Sequence, residues 1–112
     1  MAIQGRLFNV TATLPAEASS ESEVINMSKF CLIALGVEDV PVATSLTFEV
    51  GNAADNLLPL KDQDGAEIAI TLDGAAVYSL NANDFASFEY IKVVSGATET
   101  SAITLRLYGY HV

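Results

Sequence analysis

The chain has no tryptophan, one cysteine, one histidine and only five basic residues among its 112. Each shortage removes a class of function. A single thiol, Cys31, cannot close an intrachain disulfide, so the fold does not draw on an oxidising compartment. It lies in the apolar run 30-FCLIAL-35 and is expected to be a buried free thiol. The lone His111 has no second histidine and no cysteine at ligand spacing, which excludes a zinc or iron site. Serines are plentiful, but no G-x-S-x-G occurs and the histidine stands one residue from the C-terminus, so no serine triad is expected. No glycine-rich loop is present to cradle a phosphate; Gly51, Gly65, Gly74 and Gly96 stand singly at expected turns.

The shortage of bases leaves a formal net charge of −9, from fourteen acids against five bases. Such a field repels phosphate backbones, so no nucleic-acid partner is expected. No stretch approaches the roughly 20 apolar residues of a membrane span, and the N-terminus lacks a basic segment leading into an apolar core. No membrane partner is expected, and synthesis and folding are expected in the cytoplasm. Charged residues make up 17% of the chain, below the usual ~25%. A lightly charged surface fits a Thr/Ser/Asn-rich β surface, or one partly covered by a partner.

What is present is a series of short alternating runs broken by turn residues. The segments 45-SLTFEV-50, 67-EIAITL-72 and 103-ITLRL-107 alternate with period two, and DG, GN, NAND and SG punctuate them. The first run, 3-IQGRLFNVTATL-14, predicts a strand or arm over residues 1–14 with Phe8 and Val10 on one face, ended by Pro15. The polar, acidic stretch 15-PAEASSESE-23 is a connection. Segment 24-VINMSKFCLIALG-36 is ambiguous: Val24, Met27, Cys31 and Leu35 could line a helix, or Phe30 to Leu35 could be a strand apolar on both faces. Pattern alone leaves both open; the all-β context favours the strand.

Further along, Leu46, Phe48 and Val50 share one strand face, and Pro59 confines 57-LLPLKD-62 to an edge or bulge. Two Asp-Gly pairs predict turns. The second, Asp73-Gly74, is expected to close a hairpin between 67-EIAITL-72 and 76-AVYSL-80 through a three-residue loop, with Tyr78 opposite Ile70 and Leu80 opposite Ile68. Phe85 and Phe88 anchor the loop 81-NANDFASF-88, and the last strands bury Ile91, Val93, Ile103, Leu105 and Leu107. Eight or so short strands make one all-β domain over residues 1–112, a single antiparallel β-sandwich.

Candidate chemistry is sparse. Asp62, Asp64 and Glu67 flank a glycine turn, but the pattern stops too early for a calcium loop, so no metal and no cofactor are expected. Nothing in the spacing of the acids points to a catalytic carboxylate pair. No catalytic residue is named, and the chain is not expected to be an enzyme. Tyr108 and Tyr110 alternate on the face of the last strand opposite Leu105 and Leu107, where two tyrosines can serve a protein contact, a sugar platform or a shielded edge.

From about Ser20 to Val112 the order of turns resembles a family of small virion proteins of tailed bacteriophages. Five pieces carry it in order: the serine-rich lead 19-SSESEVINMSKF-30 into 31-CLIALGV-37; the strand 41-PVATSLTFEV-50; the turn 58-LPLKDQDGAEIAI-70, similar to a "pl-x-d-x-dG" element; 84-DFASFEYIKVVSGA-97, similar to "f-x-g-x-x-yikvrSG"; and 102-AITLRLYGY-110. One departure is 51-GNAADN-56, where the family has a short "S-x-DG" turn. The resemblance implies a jelly-roll-like sandwich and a non-enzymatic virion structural protein, first of all a capsid decoration (cement) protein, a homotrimer on the head lattice. Its implied partners are the major capsid protein or other virion subunits, with Phe8, Val10, Tyr108 and Tyr110 as candidate contacts and the arm Met1 to Val10 pairing with a partner's sheet edge. A tail or neck component, or a carbohydrate-binding adhesion module, is the alternative.

Overall fold

The computed structural model describes residues 7–17, 20–28 and 30–111. Nine strands follow in chain order: β1 (Leu7–Leu14), β2 (Ile25–Asn26), β3 (Phe30–Val37), β4 (Ser45–Gly51), β5 (Leu58–Pro59), β6 (Ile70–Thr71), β7 (Ala76–Ser79), β8 (Tyr90–Ser95) and β9 (Ile103–His111), with a 3-10 turn at Ala82–Asp84. They form two antiparallel sheets. One runs β1-β9-β3-β7; the other runs β2-β8-β4, with β5 and β6 sharing the far side of β4. The chain crosses between sheets at six of the eight connections, which is the double Greek key of a jelly roll.

Alternation places the core where the sequence puts it. In β4 every second residue is buried, so Leu46, Phe48 and Val50 face inward while Thr47 and Glu49 do not. Ile91 and Val93 of β8 do the same beside them, and Leu105 and Leu107 of β9 close over them from the other sheet. Phe85 caps one end, its ring edge-on to Phe48 at 5.0 Å and 80°. Ile70 and Tyr78, partly buried, pack against this cluster.

The ambiguous segment is extended, as β2 in one sheet and β3 over Phe30–Val37 in the other, and β3 carries a device that the sequence did not announce. The register of β3 on β9 slips between Leu32 and Ala34. This bulge lets Leu32 and Leu35, three residues apart, both point into the core. The carbonyl of the extra residue, Ile33, accepts from the Leu80 N–H at 3.0 Å. Cys31, expected to be buried, is half-buried and lines a cleft.

The hairpin expected across Asp73-Gly74 does not form. β6 pairs with β4 in one sheet, and β7 pairs with β3 in the other, so Tyr78 lies opposite Leu35 rather than Ile70. The first Asp-Gly does make its turn: Asp62 Oδ1 accepts from the Asp64 and Ala66 N–H groups, and Gly65 supplies φ +87°. The second turns a corner between sheets. Gly74 takes φ +78°, and the Tyr78 hydroxyl donates to the Gly74 carbonyl at 2.7 Å while accepting from the Asp73 N–H at 2.8 Å. A tyrosine bonded back to nearby backbone is a recurring brace of sandwich corners. Tyr78→Phe is expected to cost about 1–2 kcal/mol, read as a lowered urea midpoint at unchanged slope. A midpoint equal to the parent's would show that the corner holds without it.

Candidate interaction surfaces

Among the described residues, no group of three His, Cys, Asp or Glu side chains is placed to hold a metal ion, and no helix is long and apolar enough to cross a membrane. The surface offers three features instead.

The outer face of the four-stranded sheet carries Tyr108. Its ring lies over Gly36 of the neighbouring strand, so close that a β-carbon there would stand 3.1 Å from Tyr108 Cε2. Arg106, on the same face, bonds Glu38 Oε2 at 2.6 Å and Asn9 Oδ1 at 2.7 Å, tying β1, β9 and the end of β3 together. The hydrogen bond to Glu38, with that carboxylate's charge, raises the Arg106 pKa above its ordinary value. At the far side of this sheet Val77 is 62% exposed. Tyr108 is thus half-buried on the outer sheet face.

The other candidate contacts divide. Val10 packs against the core. Phe8 pairs through its backbone with Gly109, and Tyr110 with Leu7 and Cys31; the side chains of Phe8 and Tyr110 lie outside the described residues. The arm read as Met1 to Val10 divides too. Leu7 to Val10 are bound into the ladder with β9, and residues 1–6 lie outside the described residues.

At one end of the sandwich the loop between β3 and β4 holds Val40 and Val42 out to solvent, Val40 at 77% exposure. Beneath it is a buried carboxylate that sequence reasoning missed. Glu99 is 3% exposed. Its Oε1 accepts from the Val42 N–H at 2.7 Å and its Oε2 from the Ala43 N–H at 3.1 Å; the Ser95 hydroxyl, 3.3 Å from Oε2, donates at 2.7 Å to the Ala97 carbonyl. The Glu99 carbonyl accepts from the Glu17 N–H at 2.8 Å. One acid thereby clamps three connections at this end, and the apolar loop tip above it is held rather than free. Its only signal in the sequence was its place in an otherwise small-residue loop, 96-GATETSA-102.

At the opposite end an open cleft of about 470 Å³ is lined by Met27 and Cys31, by Phe85 and Phe88, and by the polar Asn52 and Glu89 among others. Asn52 Oδ1 accepts from the Glu89 N–H at 3.0 Å, joining two of its walls. The cleft holds apolar surface and hydrogen-bonding groups side by side.

No protein-family model matches the chain, and no curated protein matches it. Among solved structures, the fold is similar to that of the SPBc2 prophage-derived protein YomS, with a TM-score of 0.59 at 10% identity over 98% of this chain and 99% of that one. A subunit from Bacillus endospore appendages, described as a novel family of disulfide-linked pili, aligns over 97% of this chain and 92% of that one at a TM-score of 0.41 and 11% identity. What the first of these likenesses establishes is the fold, an end-to-end match of one small β-sandwich to another.

Proposed function

We propose that this chain is a non-enzymatic structural protein of a phage particle, placed on the head as a decoration protein. The observation that carries the reading is the end-to-end likeness of fold to a prophage-derived protein, in a chain whose turn order already resembles small virion proteins. The surface is consistent with it. Tyr108 on an open sheet face and the braced Val40/Val42 tip are the kinds of apolar and aromatic groups that anchor protein contacts. A rigid two-layer sandwich presents them at fixed positions, and such a role needs buried area and no chemistry. In this reading the partners are the major capsid protein or other virion subunits, together with further copies of the chain.

The test is re-decoration of stripped heads. Bound protein is quantified for the parent, for Tyr108→Ala, and for a chain lacking residues 1–6. The deletion stops at residue 6 because Leu7 to Val10 are paired in β1. Tyr108→Ala is expected to bind about tenfold or more weakly with its fold intact, the loss of one aromatic anchor. Parent protein that does not bind heads at all would overturn the reading.

The second reading is a carbohydrate-binding adhesion module. The cleft beside Phe88, Asn52 and Glu89 is the observation that favours it, because sugars are held by a ring and a few polar groups. Binding to host glycans, with the protein located at the tail tip, would put this reading in place of the first.

A further inference from the structure

A sandwich of two open sheets has four edges, and here three of them are blunted. β7 is four residues long. β2 is two residues long. The far side of β4 is covered in two pieces, β5 and β6, each of two residues, and β5 carries Pro59. The fourth edge is different. β1 runs for eight residues, LFNVTATL, with no charge, no proline and no glycine. Its inner side is paired with β9 throughout. Its outer side pairs with no other strand among the described residues. Long, neutral, regular edges of this kind are what monomeric β proteins avoid, because the outward N–H and C=O groups template another strand.

Which groups face outward follows from one hydrogen bond. The Thr13 N–H leaves the ladder and donates to Glu23 Oε1 at 2.9 Å. Outward and inward groups alternate along an antiparallel strand, so Asn9 and Thr11 also turn their N–H and C=O outward, while Val10 and Ala12 bond to β9. Glu23 therefore caps one outward position and leaves the two central ones open.

We propose that β1 pairs with β1 of a second copy, antiparallel, with the twofold axis at Val10. Asn9 of each copy then lies opposite Thr11 of the other, and the two pairs exchange about four backbone hydrogen bonds. The occupant is a second copy because no other edge among the described residues is long enough to match eight residues, whereas β1 matches itself under a twofold. The seam is neutral, which matters when each copy carries a net charge of −9. The antiparallel arrangement also sends the two Glu23 carboxylates to opposite ends of the seam. Asn9 and Thr11 project from the outer face, so pairing joins two four-stranded sheets into one continuous sheet of eight without disturbing either core. This deepens the structural reading above by naming one partner, and its unit is a dimer in place of the trimer that the family resemblance implies.

The experiment uses the free protein and needs no particle, so its failure is separate from a failure to bind heads. Sedimentation equilibrium over the micromolar range is expected to give a mass rising from 11.8 kDa to twice that value. Hydrogen exchange across the same series is expected to show the Asn9 and Thr11 amides slowing with concentration, with Val10 and Ala12 protected throughout. Thr11→Pro removes an outward N–H that the ladder does not use, at an edge position that tolerates proline. It is expected to raise the dissociation constant at least about tenfold, with little change in melting temperature, while Thr11→Val pairs as the parent does. A chain that stays monomeric at every concentration, one that forms a trimer, or a dimer whose Asn9 and Thr11 amides exchange as fast as in the monomer would each overturn the proposal.

Discussion

Leu105→Ala and Ile91→Ala are each expected to lower folding stability by about 2–5 kcal/mol. Both side chains are 0% exposed, one on the inner face of each sheet, at the centre of the contact between the layers. Alanine there removes apolar area and leaves a cavity. The flanking side chains are held in paired strands on both sides, β8 between β2 and β4 and β9 between β1 and β3, so collapse into the cavity is limited. A domain of this size has about 5–15 kcal/mol in total, so either change takes a large share of it. Chemical denaturation followed by circular dichroism measures this, and the parent spectrum should show a β minimum with little helix. Midpoints that match the parent for both variants would mean that these faces do not meet.

Glu99→Ala is expected to cost about 2–4 kcal/mol, because it strips the Val42 and Ala43 N–H groups of their shared acceptor, while the Ser95 hydroxyl keeps its bond to the Ala97 carbonyl. Glu99→Gln keeps the shape and one acceptor oxygen but turns an NH2 group toward a donor, so it should recover only part of the loss. The damage should be local as well as global. The 38–44 loop would lose its anchor, and limited proteolysis should find a new cleavage site near Val40-Pro41-Val42. If partner contact uses this tip, binding should fall further than stability does. An Ala variant with the parent's midpoint and cleavage pattern would show that water replaces the carboxylate at no cost.

These two predictions differ in how visible their residues were beforehand. Leu105 and Ile91 were legible because each belongs to a run with period two, and a run of that kind states its own buried face. Glu99 was not, because nothing local tells an acid in a polar loop that two amides from residues 42 and 43 will enclose it. Ser22 is a similar case. It is buried, accepting from the Val93 N–H at 3.0 Å and donating to the Glu23 carbonyl, within a stretch that reads as a solvated connection. Polar groups of this kind are specified by the backbone donors of distant segments.

The same distinction explains the one misplaced pairing. The strand faces of 67-EIAITL-72 and 76-AVYSL-80 were correct: Ile68, Ile70, Leu72 and Tyr78 all turn toward the core. Their pairing was not, because an Asp-Gly turn permits positive φ equally at a hairpin and at a corner between sheets. Leu72 is drawn to β4 by its N–H bond to the Thr44 carbonyl, and β7 is drawn to the free side of β3. The Tyr78 hydroxyl then braces the corner from outside the local pattern.

By itself, then, the sequence determined what is local: the all-β class, the positions of most strands, the buried alternation and the turns at Gly65 and Gly74. Side-chain alternation and φ preference are properties of a few adjacent residues, so they are written in adjacent residues. The tertiary structure alone decided which strands share a sheet, where the Ile33 bulge falls, which acid is enclosed and which edge is left long and open. Each of these depends on hydrogen-bond partners and packing surfaces supplied by segments far along the chain, and the free energy that selects among them exists only once those segments meet.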